Sequence, residues 1–286
     1  MGSKYDKPHD QFVIAYLPYP DKSETVISHA LPLAQMLQKG LILLYIEDKR
    51  YKGMSKEDAT PIMEHLKEQI RQQHADTQYA VMRGDTHDII SALPQVLYGV
   101  VAVAQCDKGA TRHTPTNPHE VLRLFNESKI AYLTAQEVNS HGYRHNDIAY
   151  SIDYRRESKE KLIWASYFAR FGNNQLHVIC QDYHDERLHQ KWSDNMRFMD
   201  KIFDSLAIKG YQRHIYKPHG LFAETAVAER AAQEKCHLLI STTTEGYDRD
   251  IIEWFAGTAE QRVIANKDHL PVLFINPRDD LFVLCD

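Results

Sequence analysis

Phe12-Val13-Ile14-Ala15-Tyr16-Leu17 is answered 134 residues later by Ile148-Ala149-Tyr150-Ser151-Ile152, two apolar runs built on the same Ile-Ala-Tyr. Three shared residues are a weak signal alone, but the order persists. Ala30, Ala34 and Leu41 are followed 135 positions on by Ala165, Ala169 and Leu176. A period of about half the 286-residue chain is too long for a solenoid and suits two copies of one domain of roughly 140 residues.

Both halves run the same course. In the first, short apolar runs predict strands over 12–17, 41–46, 78–82, 100–105 and 129–134, and helical spacing of apolar residues predicts helices over 23–38, 58–74, 86–96 and 118–126. In the second, strands are expected over 148–152, 176–181, 212–216, 237–242 and 271–275, with helices over 157–170, 187–208, 222–234 and 258–265. Strands that are continuously apolar and alternate with helices indicate a parallel α/β sheet covered on both faces. The polar stretch 136–146 reads as the linker, which divides the chain into domains 1–140 and 141–286.

Composition narrows the function. No apolar stretch approaches the ~20 residues that span a bilayer, so no membrane embedding is expected. The opening Met1–Asp6 has no apolar export core, and Asp6 stands where a myristoylation signal wants Ser or Thr; a cytoplasmic protein is the expectation. The net charge of −5, with basic and acidic residues interleaved, argues against nucleic acid as a partner. Cys106, Cys180, Cys236 and Cys285 form no C-x-x-C pair and imply no disulfide framework. The 16 histidines invite a metal, yet His184 and His189, like His214 and His219, are five apart, not the i, i+4 of a helical site; no metal is expected. No G-x-S-x-G nucleophile motif occurs, and Lys52-Gly53-Met54-Ser55-Lys56 reads as a charged connection after the second strand.

Local features then take on a pattern. Arg83-Gly84-Asp85 opens a helix; Gly257-Thr258-Ala259-Glu260-Gln261-Arg262-Val263 is followed by His269-Leu270-Pro271-Val272-Leu273-Phe274-Ile275. With the repeat, these segments make the chain resemble a tandem universal stress protein over nearly its whole length. The resemblance implies two tandem Rossmann-like domains, each with five parallel strands in the order 3-2-1-4-5 and a ligand site at the switch point between the first and fourth strands. In that order the fifth strands lie at sheet edges, and exposed apolar edges are normally paired or covered. They are expected to pack on each other as an intrachain pseudo-dimer, with homo-oligomerisation of the whole chain and a further protein partner left open.

In the family's nucleotide-binding members, a G-x2-G-x9-G-[S/T] stretch cradles phosphates on backbone amides and a helix N-terminus, while an acid ending the first strand contacts the nucleoside. Asp153 occupies the acidic position here, and Gly257-Thr258 completes the motif; Thr244 and Tyr247 stand where its first two glycines belong, with Gly246 one place out of register. The candidate site for ATP or another adenine nucleotide is therefore Ile152, Asp153, Tyr154, Thr242, Thr244, Gly246, Gly257 and Thr258. The competing reading is a solvated loop ahead of an ordinary helix start. The first half departs altogether, with Pro18 for the acid and Thr116-Asn117 for the glycine pair, and reads as a degenerate copy kept for packing. No acidic pair is placed for a metal and no base stands beside a nucleophile, so a regulatory, ligand-sensing protein without catalytic turnover is the expected function. The alternatives are an assembly module with no small ligand, and a slow ATP-hydrolysing enzyme using Asp153 and the loop 241–258.

Overall fold

The computed structural model describes residues 11–126, 128–155, 158–181, 183–216, 223–243 and 259–276. The first half runs β1 (Phe12–Tyr16), α1 (Glu24–Leu37), β2 (Gly40–Glu47), α2 (Lys56–Arg71), β3 (Thr77–Arg83), α3 (Thr86–Ser91), α4 (Leu93–Val96), β4 (Gly99–Gln105), α5 (Pro118–Phe125) and β5 (Ala131–Ala135). The second runs β6 (Asp147–Ile152), α6 (Ser158–Phe171), β7 (Gln175–Gln181), α7 (Glu186–Ser205), β8 (Gln212–Tyr216), α8 (Ala223–Gln233), β9 (Leu238–Thr242), α9 (Ala259–Ile264) and β10 (Val272–Ile275). The expected alternation is present in both halves. One expected helix, 86–96, is two: Pro94 has no amide hydrogen to give, and the chain breaks at Ala92 between α3 and α4.

Each half is parallel, in the orders β3-β2-β1-β4-β5 and β8-β7-β6-β9-β10. Two separate five-stranded sheets were expected, and this needs correction. β5 and β10 pair antiparallel, Leu273 opposite Leu133, so all ten strands form one sheet. Backbone pairing satisfies both apolar edges more completely than side-chain packing alone.

The pleat sends alternate strand residues to opposite faces. Val13, Ala15 and Leu133 join a core under α1, α2, α6 and α7, whereas Ile14, Tyr16 and Tyr132 join a core under α3, α5, α8 and α9. Both cores run across the junction between the halves. Tyr16 meets Phe125 edge-on at 6.0 Å, Phe125 stacks on Tyr132 at 5.3 Å, and Tyr132 stacks on Phe274 at 5.3 Å. The residues that follow the fifth strands then exchange contacts: Gln136 Nε2 donates to the carbonyls of Ile264 and Asn266 at the end of α9, and Asn276 Nδ2 donates to those of Phe125 and Ser128 at the end of α5.

The linker lies along α1. His29 Nε2 is 2.9 Å from the Glu137 carbonyl, which can only accept, so Nε2 carries the hydrogen and Nδ1 accepts from the Tyr143 hydroxyl. Tyr143 also meets Phe168 of α6 edge-on at 6.0 Å. Burial pushes His29 down to about 4.

Two outcomes follow. Phe274→Ala is expected to cost about 3–5 kcal/mol in denaturant unfolding, with both halves still melting together; separate transitions would show that the junction does not couple them. The unfolded chain binds a proton on His29 below its ordinary value near 6.5 while the native chain does so only near 4. Stability should therefore be complete above pH ~6.5 and fall by up to about 3 kcal/mol as pH drops toward 4. That part of the slope should be missing from His29→Gln.

Candidate functional site

β6 lies between β7 and β9 in the sheet, and the chain leaves its end toward one neighbour while β9 serves the other, which opens a crevice at the strand C-termini. A cavity of about 310 Å³ occupies it, lined by Ser151, Ile152, Asp153, Tyr154, Arg155, Gln181, Tyr183 and Ser241 among others. Ile152, Asp153 and Tyr154, consecutive at the end of β6, all line it. Thr242 is buried one residue beyond the lining Ser241. Thr244, Gly246, Gly257 and Thr258 lie outside the described residues, as do Trp254-Phe255 and Cys285.

Asp153 is fixed by its own neighbours. Oδ1 accepts from the Arg155 amide at 2.8 Å and from Ser158 Oγ at 2.6 Å, and Oδ2 accepts from Arg155 Nε at 2.9 Å and Nη2 at 2.6 Å. Beneath it, Lys161 projects from α6 with Nζ 3.0 Å from Ser151 Oγ, and is 1% exposed. Burial by itself would raise the Asp153 acid; Lys161 and Arg155 outweigh it and hold the group at about 2. Tyr154 and Tyr183 meet edge-on at 5.4 Å at the cavity wall.

Sequence reasoning missed Arg155, Ser158, Lys161 and Tyr183. A usable signal was the triplet Asp-x-Arg, which recurs as Asp48-Lys49-Arg50 and folds the same way: Arg50 donates its amide at 2.9 Å and Nη2 at 2.6 Å to Asp48, which also accepts from the Thr86 amide at 2.8 Å. Asp48 ends β2, not β1, so the first half brings its acid from another strand. Its own crevice, about 290 Å³, is lined by Tyr16, Pro18, Tyr19, Tyr45, Asp48 and Tyr51. Tyr51 there bonds Glu120 at 2.9 Å and Arg123 at 2.9 Å. Thr116-Asn117 does helix chemistry: Asn117 caps α5, accepting from the His119 amide at 3.0 Å. A broader groove of about 650 Å³ runs beside the start of α1, but no buried charge converges on it.

Cys106, Cys180 and Cys236 are free and buried, and burial pushes the Cys180 and Cys236 thiols up to about 12. They are inert at neutral pH. Among the described residues, no helix is long and apolar enough to cross a membrane.

No protein-family model matches the chain, and no curated protein matches it in sequence. Solved structures do match. A universal stress protein from Archaeoglobus fulgidus superposes with a TM-score of 0.69 at 13% identity, covering 95% of this chain and 99% of that one. A putative universal stress protein from Pseudomonas aeruginosa gives 0.65 at 16% identity, covering 97% and 96%. The cytoplasmic domain of a prokaryotic cation chloride cotransporter gives 0.59 at 11% identity, covering 96% and 99%. The fold is thus that of full-length universal stress protein structures, as the sequence resemblance implied.

The Asp153 acid is held below its unfolded value of 3.8, so its contribution to stability is present above pH ~4 and is lost as pH falls toward about 2. Asp153→Asn should cost roughly 1.5–3 kcal/mol at pH 7, a charge-assisted network exchanged for a neutral one. The gap between variant and wild type in urea unfolding should narrow as pH approaches 2; a gap unchanged with pH would refute the ion-pair account.

Proposed function

We propose that the chain is a cytoplasmic regulatory protein of the universal stress type that binds an adenine nucleotide in the crevice of its second half. The observation that carries this reading is the cavity at the β6–β9 switch point, with the half-buried Asp153 carboxylate in its lining and Arg155 beside it. At about 310 Å³ the cavity falls at the lower end of small-molecule sites. Arg155 adds a positive charge at the cavity, a group absent from the sequence-derived site, with its Nε and Nη2 donating to Asp153 Oδ2. Gly257 and Thr258 would close the phosphate motif in the way the sequence resemblance implies, with Thr244 and Gly246 ahead of them in the same stretch.

The same geometry speaks against turnover. A carboxylate held at about 2, with both oxygens already accepting hydrogen bonds, is a poor general base at neutral pH. A second reading, an assembly module, is favoured by one feature: Ile163, Tyr167 and Phe171 recur every four residues on α6 and are 45%, 39% and 43% exposed. Exposed apolar residues on one helix face are a feature that contact surfaces use.

Calorimetric titration of the full chain with ATP tests both. Binding is expected, weakened by roughly 1.5–3 kcal/mol in Asp153→Ala and unchanged in Pro18→Ala at the matching place in the first half. Absence of any ATP binding would leave the assembly reading; equal losses from both substitutions would assign the site to the wrong copy. ATP hydrolysis above the uncatalysed background would make the protein an enzyme after all.

A further inference from the structure

Away from the crevice, three separate elements of the second half bring two imidazoles and a carboxylate together. His177 stands in β7, His214 in β8, and Glu234 just after α8. His177 Nδ1 lies 3.0 Å from His214 Nε2, and Glu234 Oε1 lies 3.3 Å from His214 Nδ1. One donor atom from each of the three residues falls within 4.8 Å of the others. The two ring planes differ by 4°.

On its other side, His177 Nε2 is 2.7 Å from Asp147 Oδ1. An ionised carboxylate only accepts, so Nε2 carries the hydrogen and Nδ1 presents a lone pair to the cluster. A carboxylate bonded behind an imidazole is the arrangement that fixes the tautomer and orientation of metal-ligating histidines. The side chains of His177, His214 and Glu234 are 5%, 10% and 25% exposed, which makes the cluster sheltered yet reachable from solvent.

Charge points the same way. Asp147 and Glu234 bring two negative charges, and the Arg230 guanidinium faces Glu234: its Nη2 bonds Glu234 Oε1 and lies 3.5 Å from His214 Nδ1. With neutral imidazoles these side chains keep one net negative charge, and Arg230 is the cation that holds Glu234 beside His214. We propose that His177, His214 and Glu234 form a binding site for a transition-metal ion of the zinc class, with Asp147 supporting His177 from behind and Arg230 as the competing cation. Two imidazoles with one carboxylate suit zinc and its borderline neighbours better than magnesium or calcium, which favour all-oxygen shells. Three protein ligands leave a fourth tetrahedral position for water. Binding requires the ion to replace the proton shared by the two rings and Glu234 to leave Arg230; the strands that hold the imidazoles need not move.

The test uses full-length protein freed of metal by a chelator and titrated with Co²⁺, followed by its visible ligand-field absorption, and with Zn²⁺ by calorimetry. One tight equivalent is expected, with intense bands of tetrahedral cobalt. His214→Ala and Glu234→Gln should abolish those bands while leaving the far-ultraviolet circular dichroism unchanged, and Asp147→Asn should weaken affinity about 10–100-fold. Arg230→Gln should bind more tightly than wild type, a gain that misfolding cannot produce. Absence of a tight equivalent in the wild type, or wild-type cobalt spectra in both His214→Ala and Glu234→Gln, would overturn the proposal, the latter by placing the ion on other histidines.

Discussion

The antiparallel pairing of β5 with β10 is the constraint on which the rest of the molecule depends. It turns two parallel sheets into one, and it makes both cores continuous, through Leu133 and Leu273 on one face and through Phe125, Tyr132 and Phe274 on the other. Three paired positions are a short join for ten strands. Gln136 and Asn276 reinforce it by each satisfying carbonyls at the end of the other half's last helix. Buried carbonyls without partners would be costly, so each half completes its own helix only when the other is docked.

That rigid frame sets the chemistry of the second crevice. Asp153 follows a strand paired along its whole length with β7, Ser158 bonds it from the first turn of the next helix, and Lys161 of that turn bonds Ser151. The carboxylate is therefore a fixed element of the crevice floor, with Arg155 held in a set orientation by a two-pronged ion pair. In the first half the corresponding strand is followed by Leu17 and Pro18, and tyrosines line the crevice beside Asp48. Both crevices of similar size thus hold an ion-paired acid, Asp153 in one and Asp48 in the other, and the first-half crevice gathers more tyrosines around it.

Much of this was legible in the sequence. The repeat of Ile-Ala-Tyr and the alternation of continuous apolar runs with helical spacing place nearly every element, because burial on both faces of a parallel sheet leaves few polar positions to confuse the pattern. Edge pairing was foreseeable from the position of the fifth strands, but its form was not: nothing in Ala131–Ala135 or Val272–Ile275 tells backbone pairing from side-chain packing. Ile152, Asp153 and Tyr154 were legible because a strand end is a local feature. Lys161 was not, since a lysine on an amphipathic helix reads as solvent-facing until the partner beneath it is known. The histidine cluster was hidden for a plainer reason. His177, His214 and Glu234 meet only through strand pairing, and a search by spacing along the chain pairs His214 with His219 instead.

The covalent join also changes what substitution can do. In a homodimer with a twofold contact, one mutation appears on both sides of the axis and must suit both. Here Gln136 and Asn276 serve the same purpose with side chains of different length, and each can be tuned alone. The same freedom reaches beyond the junction: the third residues of β7 and β8 are His177 and His214, whereas the third residues of β2 and β3 are Ile42 and Tyr79. Tandem fusion lets one copy serve as scaffold for chemistry that its twin does not share.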